Sequence, residues 1–383
     1  MLPDMESCSR DVKIMKPRSD GRTLPDSRGY TEVEMKSFEH DYLIETPISH
    51  SLVKAVRVLG EFLGRQVLFS RQSPEVLETL RRAAMIQSVE SSNRIEGIIV
   101  LPGRLSPLVE KSTHPRDRSE QEVAGYRDVL AEIHANHARI RLTTGLIREW
   151  HRRMLRYTGE RGGDWKTKDN AILEVTPDGR QVVRFRPVSA LATPKTMERL
   201  VVLYDRALAE GKVDPLFLIS SFILDFECVH PFGDGNGRIG RLLALLLLYQ
   251  NGYQVGRYIS LERVVEESKE TYYEALRRSS EGWQEAGHDL RPWWEYFLGM
   301  LAAAYGEFET RVGAVTAVRG AKREMVRDSL GRLPARFKFS DLQQACPGVS
   351  SPTLKRALSD MKKEGKLRCL GKGRDAEWER IGS

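Results

Sequence analysis

The stretch His230-Pro-Phe-Gly-Asp-Gly-Asn-Gly-Arg-Ile-Gly-Arg241 gathers a histidine, a carboxylate, several glycines and two arginines into twelve residues. Each of those types suits a nucleoside triphosphate. A glycine-rich turn that opens onto a helix exposes backbone N–H groups, and the positive end of the helix dipole attracts phosphate. Arg238 and Arg241 lie three apart on that helix, so both can reach one anion. Asp234, just upstream, is placed to hold Mg²⁺ with phosphate oxygens and water completing the shell. His230 is the side chain here whose ordinary pKa lies near neutrality. Behind the turn runs an apolar stretch, Leu242 to Tyr249, so the helix from Asn236 to Gln250 is expected to be buried on nearly every side.

Outward from that helix the chain reads as mainly α. Upstream, Asp214-Pro215 caps a helix through Phe222 and Phe226 that delivers His230 to the turn. Further helices are predicted over 49–69, 119–137, 143–157 and 193–210. Another starts at Ser73 as N-cap with Pro74 in its first turn, buries Leu77, Leu80 and Ala84, and stops at Gly97. Between 171 and 186 the period changes: Ile172, Val175, Val182 and Phe185 flank Pro177-Asp178-Gly179, which predicts a β-hairpin. Asn251-Gly252 ends the buried helix, and helices at 261–281 and 291–318 follow. In the last fifty residues Ser340 is read as the cap of a short helix through Leu342. Ser351-Pro352 opens a second, with Leu354, Leu358 and Met361 on one face and Gly365 at its end. Strands at 367–370 and 376–380 across Gly371-Lys372-Gly373 complete a module similar to a winged helix-turn-helix. The domain reading is a flexible tail at 1–30, a helical region at 31–118, a core at 119–318 and the small module at 319–383.

Composition is that of a globular chain of 383 residues, 30% charged and 40% hydrophobic. The longest apolar run is far short of the roughly 20 residues that span a bilayer, and no stretch at the start has the pattern of a leader peptide. Cys8, Cys228, Cys346 and Cys369 are scattered with no CxxC pair, which predicts a reducing, cytoplasmic setting without structural zinc. The net charge of +7 is uneven. Residues 331–383 hold twelve Lys/Arg against six Asp/Glu, so nucleic acid is a candidate partner for that end alone.

The twelve-residue string resembles the signature of the Fic family, His-Pro-Phe-x-Asp/Glu-Gly-Asn-Gly-Arg-x-x-Arg, with no position departing from it. The resemblance runs from about Ser73 to Leu298. It implies a Fic-type helical core with a β-hairpin flap, and transfer of AMP from ATP to a Ser, Thr or Tyr hydroxyl of a target protein, self-modification included. By resemblance His230 is the general base, a role typically worth ~10²–10⁴ in rate. Asp234 binds Mg²⁺. The backbone at Gly235, Asn236 and Gly237, together with the Asn236 side chain, stabilises charge on the phosphoryl oxygens. Arg238, Gly240 and Arg241 complete the phosphate site, and Phe232 anchors the loop in the core.

Ser92-Asn-Arg-Ile-Glu96-Gly97 matches the spacing of the family's inhibitory motif. The resemblance implies that Glu96, with Ser92 on the same helix face, pairs with Arg241 and blocks productive ATP binding. The bland alternative is a solvated helix end. The hairpin at 171–186 occupies the place of the flap, where a target segment can add as a strand; a plain surface hairpin is the alternative. Tyr273, after Tyr272, stands where adenine-pocket tyrosines stand in relatives, against a simple core role. The C-terminal module is open to DNA binding through Lys355, Arg356, Lys362 and Lys363, or to homodimer formation and target docking. Two other functional readings stay open: removal of AMP at the same site with Glu96 positioning water, and a DNA-binding regulator with a nucleotide-sensing domain.

Overall fold

A computed structural model describes residues 36–39, 41–69, 74–175, 180–316, 326–327, 329–331, 333–346, 349, 351–371 and 376–381. The tail at 1–30, the cap at Ser73, the turn Pro177-Asp178-Gly179 and residues 372–373 of the last turn lie outside the described residues. The order is α1 (Tyr42–Glu45), α2 (His50–Phe69), α3 (Pro74–Ile95), α4 (Pro102–Val109), α5 (Arg118–Asn136), α6 (Thr144–Met154), β1 (Ile172–Val175), β2 (Gln181–Phe185), α7 (Thr193–Glu210), α8 (Pro215–Val229), α9 (Asn236–Gln250), α10 (Leu261–Glu267) and α11 (Lys269–Ser280). After these come α12 (Arg291–Thr316), β3 (Arg336–Lys338), α13 (Phe339–Ala345), α14 (Ser351–Lys363), β4 (Leu367–Cys369) and β5 (Glu377–Arg380). The architecture is mainly α, as the sequence implies.

The chain divides into two compact units. One takes in residues up to Val56, Ala135–Asn251 and Ser268–Gly299; the other takes in Arg57–His134, Gly252–Glu267 and the chain from Met300 onward. In the first, α8 packs against α7, α9 and α11. The Asp214 carboxylate accepts the Leu216 N–H at 2.9 Å, and Pro215 sits where no amide is needed, so α8 starts as its sequence predicts. Leu242, Leu243 and Leu245 to Leu248 are all buried in α9, each contributing about 1.5–3 kcal/mol relative to exposure. Trp293 and Trp294 are buried with their indole N–H groups satisfied by Ser220 O (2.7 Å) and Ser221 Oγ (2.9 Å) of α8. The hairpin β1–β2 pairs antiparallel, with Val182 opposite Glu174.

Beside α8 lies a buried polar knot. Asp225 Oδ1 accepts Ser37 Oγ–H and Trp283 Nε1–H, both at 2.7 Å, while Ser37 Oγ also meets His288 Nε2 at 2.9 Å. Complete burial raises the Asp225 carboxyl to about 7, with the two hydrogen bonds opposing the rise.

In the second unit α3 packs on α10 and α4. The buried Glu262 carboxylate ties three segments together, accepting Ser88 Oγ–H (2.6 Å), Ser260 Oγ–H (3.3 Å) and the Tyr126 hydroxyl (3.1 Å). α3 buries Leu77, Leu80 and Ala84 and ends as expected at Gly97 (φ 79°), with Ile98 N–H bonded to Asn93 O at 3.0 Å. The C-terminal module has its own core of Phe337, Leu342, Leu354, Leu358, Met361 and Leu367, among others. Its sheet has the order β3-β5-β4, antiparallel throughout. A cavity of about 570 Å³ lies between that module and α3–α4, lined by Arg82, Ile86, Glu90, Leu105, Gln343 and Gln344 among others. Burial raises the Glu90 carboxyl, against the opposing charge of Arg94; Gln344 hydrogen-bonds it.

Three expectations are corrected. The single helix at 261–281 is two, because Ser268 leaves helical geometry (φ −114°, ψ 27°) and its hydroxyl pairs with that of Tyr296 at 2.9 Å. The cap of α13 is at Lys338, whose N–H is held by the Asp341 carboxylate at 2.8 Å, so Ser340 lies inside the helix. Neither α4, which carries Pro107 inside it, nor β3 was expected. Among the described residues no helix is long and apolar enough to cross a membrane, and no cluster of three or more acidic, histidine or cysteine residues forms a metal cage. Cys228, Cys346 and Cys369 are free thiols.

Candidate functional site

Helix α8 stops at His230, which takes a left-handed backbone conformation (φ 49°, ψ 61°) while its N–H still bonds Phe226 O at 2.9 Å. For a residue with a Cβ that conformation costs about 1–2 kcal/mol, so surrounding bonds must hold it. Lys166 supplies them. Its ammonium donates to Val229 O (3.0 Å), a carbonyl at the helix end, and to Asn170 Oδ1 (2.9 Å), and its own N–H donates to Pro231 O (2.9 Å). Burial lowers the Lys166 amine to about 7. Asn170 in turn donates to Phe232 O at 3.2 Å and His230 O at 3.4 Å.

Phe232 is fully buried, stacked on His151 with ring centroids 3.9 Å apart and tilted against Trp165 at 5.1 Å. The Gly163 N–H donates to His151 Nδ1 (2.9 Å), which leaves Nε2 as the protonated nitrogen facing Asp234 O at 3.1 Å. Burial pushes the His151 imidazole down to about 4, so it stands neutral under the loop.

Asp234 is half-exposed, and one carboxylate oxygen accepts the Gly235 N–H at 2.8 Å. Gly235 then turns at φ 79°, and a Cβ there would lie 2.5 Å from the Met154 methyl. The first turn of α9 follows, in which Ile239 N–H makes the first helical bond, to Gly235 O at 3.0 Å. The amides of Asn236 and Gly237 therefore face the turn without helical acceptors.

Two signature residues also support the loop and the base. The Asn236 side chain is buried and clamps the loop, Oδ1 accepting Phe232 N–H (2.8 Å) and Nδ2 donating to Phe232 O (2.9 Å). It shapes the turn, and its backbone N–H and the second hydrogen on Nδ2 are not used by these two bonds. Gly240 lies in the buried interior of α9, where a Cβ would come within 2.3 Å of Glu227 Oε1. Its missing side chain gives Glu227 room. That carboxylate lies 3.9 Å from His230 Nδ1.

Arg238 and Arg241 are both buried, at 1% and 8% exposure. Burial lifts the Tyr272 phenol well above its usual range, with the Glu227 charge adding to the rise and the Arg241 charge opposing it. Tyr272 is core, packed on Trp293 and Tyr296. Tyr273 is half-buried; its carbonyl accepts from Arg184 of β2 at 3.2 Å, and Lys269 lies over its ring at 5.9 Å. Ser92 and Glu96 belong to the other unit, where Ser92 is buried in α3 and Glu96 is half-buried one residue past its end.

Sequence reasoning missed Glu227, His151, Lys166 and Asn170. Glu227 is signalled only by its i, i+3 spacing to His230. The others act across 60 to 83 residues of chain and carry no local signal.

The Fic/DOC family model matches residues 141–248. A probable protein adenylyltransferase of Aquifex aeolicus (strain VF5) is 44% identical over 57 residues, 15% of this chain and 15% of that protein. A Fido domain-containing protein of Dictyostelium discoideum is 34% identical over 95 residues, 25% of this chain and 62% of that protein. The chain thus spans less than two thirds of either relative. Among solved structures, a Fic family protein from Desulfovibrio desulfuricans G20 is 22% identical with a TM-score of 0.56, over 88% of this chain and 98% of that one. A Fic domain-containing signaling protein from Bacteroides thetaiotaomicron VPI-5482 is 22% identical with a TM-score of 0.56, over 67% of this chain and 97% of that one. Both likenesses are of fold.

Proposed function

We propose that this chain, whose residues 141–248 match the Fic/DOC family model, is a protein adenylyltransferase, moving AMP from ATP to a hydroxyl side chain of a target protein. The observation that carries this reading is the buried His230, held in a left-handed conformation at the head of a turn whose next helix opens with amides and two arginines.

In this reading the α9 amides and the Arg238 and Arg241 guanidiniums bind the phosphates of ATP. Asp234 fits a magnesium ion arriving with the nucleotide, being a half-exposed carboxylate with one oxygen on the Gly235 N–H. Mg²⁺ usually takes one or two carboxylates plus substrate phosphates, so the lack of a larger acidic cluster among the described residues is no obstacle. When bound, the ion supplies charge neutralisation at the phosphates. The target hydroxyl oxygen bonds to the α-phosphorus, the bond to the bridging oxygen breaks, and pyrophosphate leaves. His230 takes the hydroxyl proton at Nε2, while Glu227 beside Nδ1 steadies the imidazolium that forms. The hairpin, with Val182 and Val183 exposed and tied to α11 by Arg184, suits alignment of a target segment. Tyr273, beside that tie, is read as the adenine contact. The spacing of Ser92 and Glu96 supports Glu96 as a restraint on transfer.

The test is intact-protein mass after incubation with MgATP and candidate targets. Addition of one AMP group, lost in His230→Ala while nucleotide binding persists, is the expected result. Transfer by His230→Ala at the wild-type rate would overturn the assignment.

A further inference from the structure

We propose that the exposed face of α14 is a docking surface for the major groove of duplex DNA. The face is defined by what the helix buries. Leu354, Ala357, Leu358 and Met361 point into the module's own core, so the opposite ridge must face outward. On that ridge Lys355, Arg356, Ser359, Lys362 and Lys363 are all exposed. Its acidic neighbour on the helix, Asp360, stands to the flank and is half-buried.

Four of the module's cations are gathered on this one helix, while several of the others are taken up by acidic partners. On the sheet, Arg336 is paired with Glu379 at 3.0 Å. After the helix, Lys366 is paired with Glu364 at 3.0 Å. The cations of α14 carry no such acidic partner in the ion pairs of the described residues. The Lys355 ammonium instead lies over the Phe339 ring at 5.7 Å, with the side chain still exposed.

Shape favours a groove over a flat acidic surface. α14 has 13 residues, hence a rod about 20 Å long and 10–12 Å across, and the major groove of B-form DNA is about 12 Å wide. Ser359, in the middle of the ridge, is small enough to let the helix backbone approach. The preceding α13 and the short connection to α14 form a helix-turn-helix pair in which the second helix is the one presented. A-form RNA is disfavoured because its major groove is too narrow to admit side chains.

The experiment is fluorescence anisotropy of the full chain with a labelled random-sequence DNA duplex over a range of NaCl. Four phosphate contacts give a slope of log affinity on log salt near −4, so binding should weaken on the order of 100-fold between about 50 and 200 mM. Arg356→Ala with Lys363→Ala, both exposed, should reduce the slope by about 2. Ser359→Glu, which adds a negative charge to the ridge and leaves the core untouched, should abolish binding, with an unchanged circular dichroism spectrum as the folding control. Three results would overturn the proposal. They are no binding at the lowest salt, an unchanged slope in the double variant, or competition by duplex RNA or poly-glutamate as strong as by unlabelled DNA.

Discussion

Replacing Asn236 by alanine separates two jobs that one side chain can be given. The structure uses both of its amide atoms on the Phe232 backbone, at 2.8 and 2.9 Å, within a site of 2% exposure. In Asn236→Ala the Phe232 N–H is stranded in a buried loop, at a cost of about 1–3 kcal/mol. The Phe232 carbonyl keeps the Asn170 amide at 3.2 Å, so its loss is that of one ordinary bond, about 1 kcal/mol. Alanine is the better helix former at the first position of α9, which returns roughly 0.5 kcal/mol. The net loss is about 2–3 kcal/mol, and at roughly 2–4 °C per kcal/mol the melting temperature should fall by about 5–10 °C. Thermal unfolding followed by tryptophan fluorescence measures this directly, since Trp165 lies against Phe232. AMP transfer should fall as well, because the turn that presents the α9 amides loosens. An unchanged melting temperature with lost transfer would refute the clamp and return Asn236 to direct contact with the phosphoryl oxygens.

Gly240→Ala should cut AMP transfer by lowering kcat with KM for ATP little changed, because the new methyl displaces Glu227 from His230; stability should change little, since alanine offsets the crowding by about 0.5–1 kcal/mol of helix preference. Steady-state kinetics at two ATP concentrations check it, and a pure KM effect would point to the phosphates instead. Asp225→Asn tests the buried knot. The wild-type carboxyl is raised to about 7, above its unfolded value. Its contribution is therefore fully present below about pH 4 and lost as pH rises through 7, a swing of roughly 4 kcal/mol that the variant lacks. Urea unfolding of both proteins at several pH values reads the difference, and parallel stability curves would show that Asp225 ionises normally. Glu96→Gly should raise AMP incorporation at saturating MgATP, and the gain should vanish when His230 is also replaced. Equal incorporation would remove Glu96 as a restraint.

What the sequence made legible was local. The Asp214 cap, the apolar α9, the hairpin alternation and the Gly97 stop depend on neighbours within one or two turns, and each stands where its spacing predicts. The loop residues were legible as a set for the same reason. The structural contacts of Asn236 and Gly240 were not. Asparagine in a phosphate loop and one packed on the loop's own backbone read alike, and a glycine that makes room for Glu227 looks like one that makes room for a ligand. Lys166 and His151 escaped because their partners are far along the chain. α4 escaped because Pro102 and Pro107 both argue against a helix, although Pro102 occupies the first turn, where its missing N–H costs nothing.

The unbroken length of α3 has a mechanical consequence. Its 22 residues make a rod of about 33 Å. Midway along it Arg82, Ile86 and Glu90 border the cavity beside α13, and one residue beyond its end stands Glu96. Glu90 and Glu96 are six residues apart, about 9 Å along the axis, on a hydrogen-bonded column that resists both stretching and twisting. Such a column behaves as a torsion bar. A turn imposed where the rod borders the cavity would be carried along the helix toward the backbone that bears Glu96, one residue past its end.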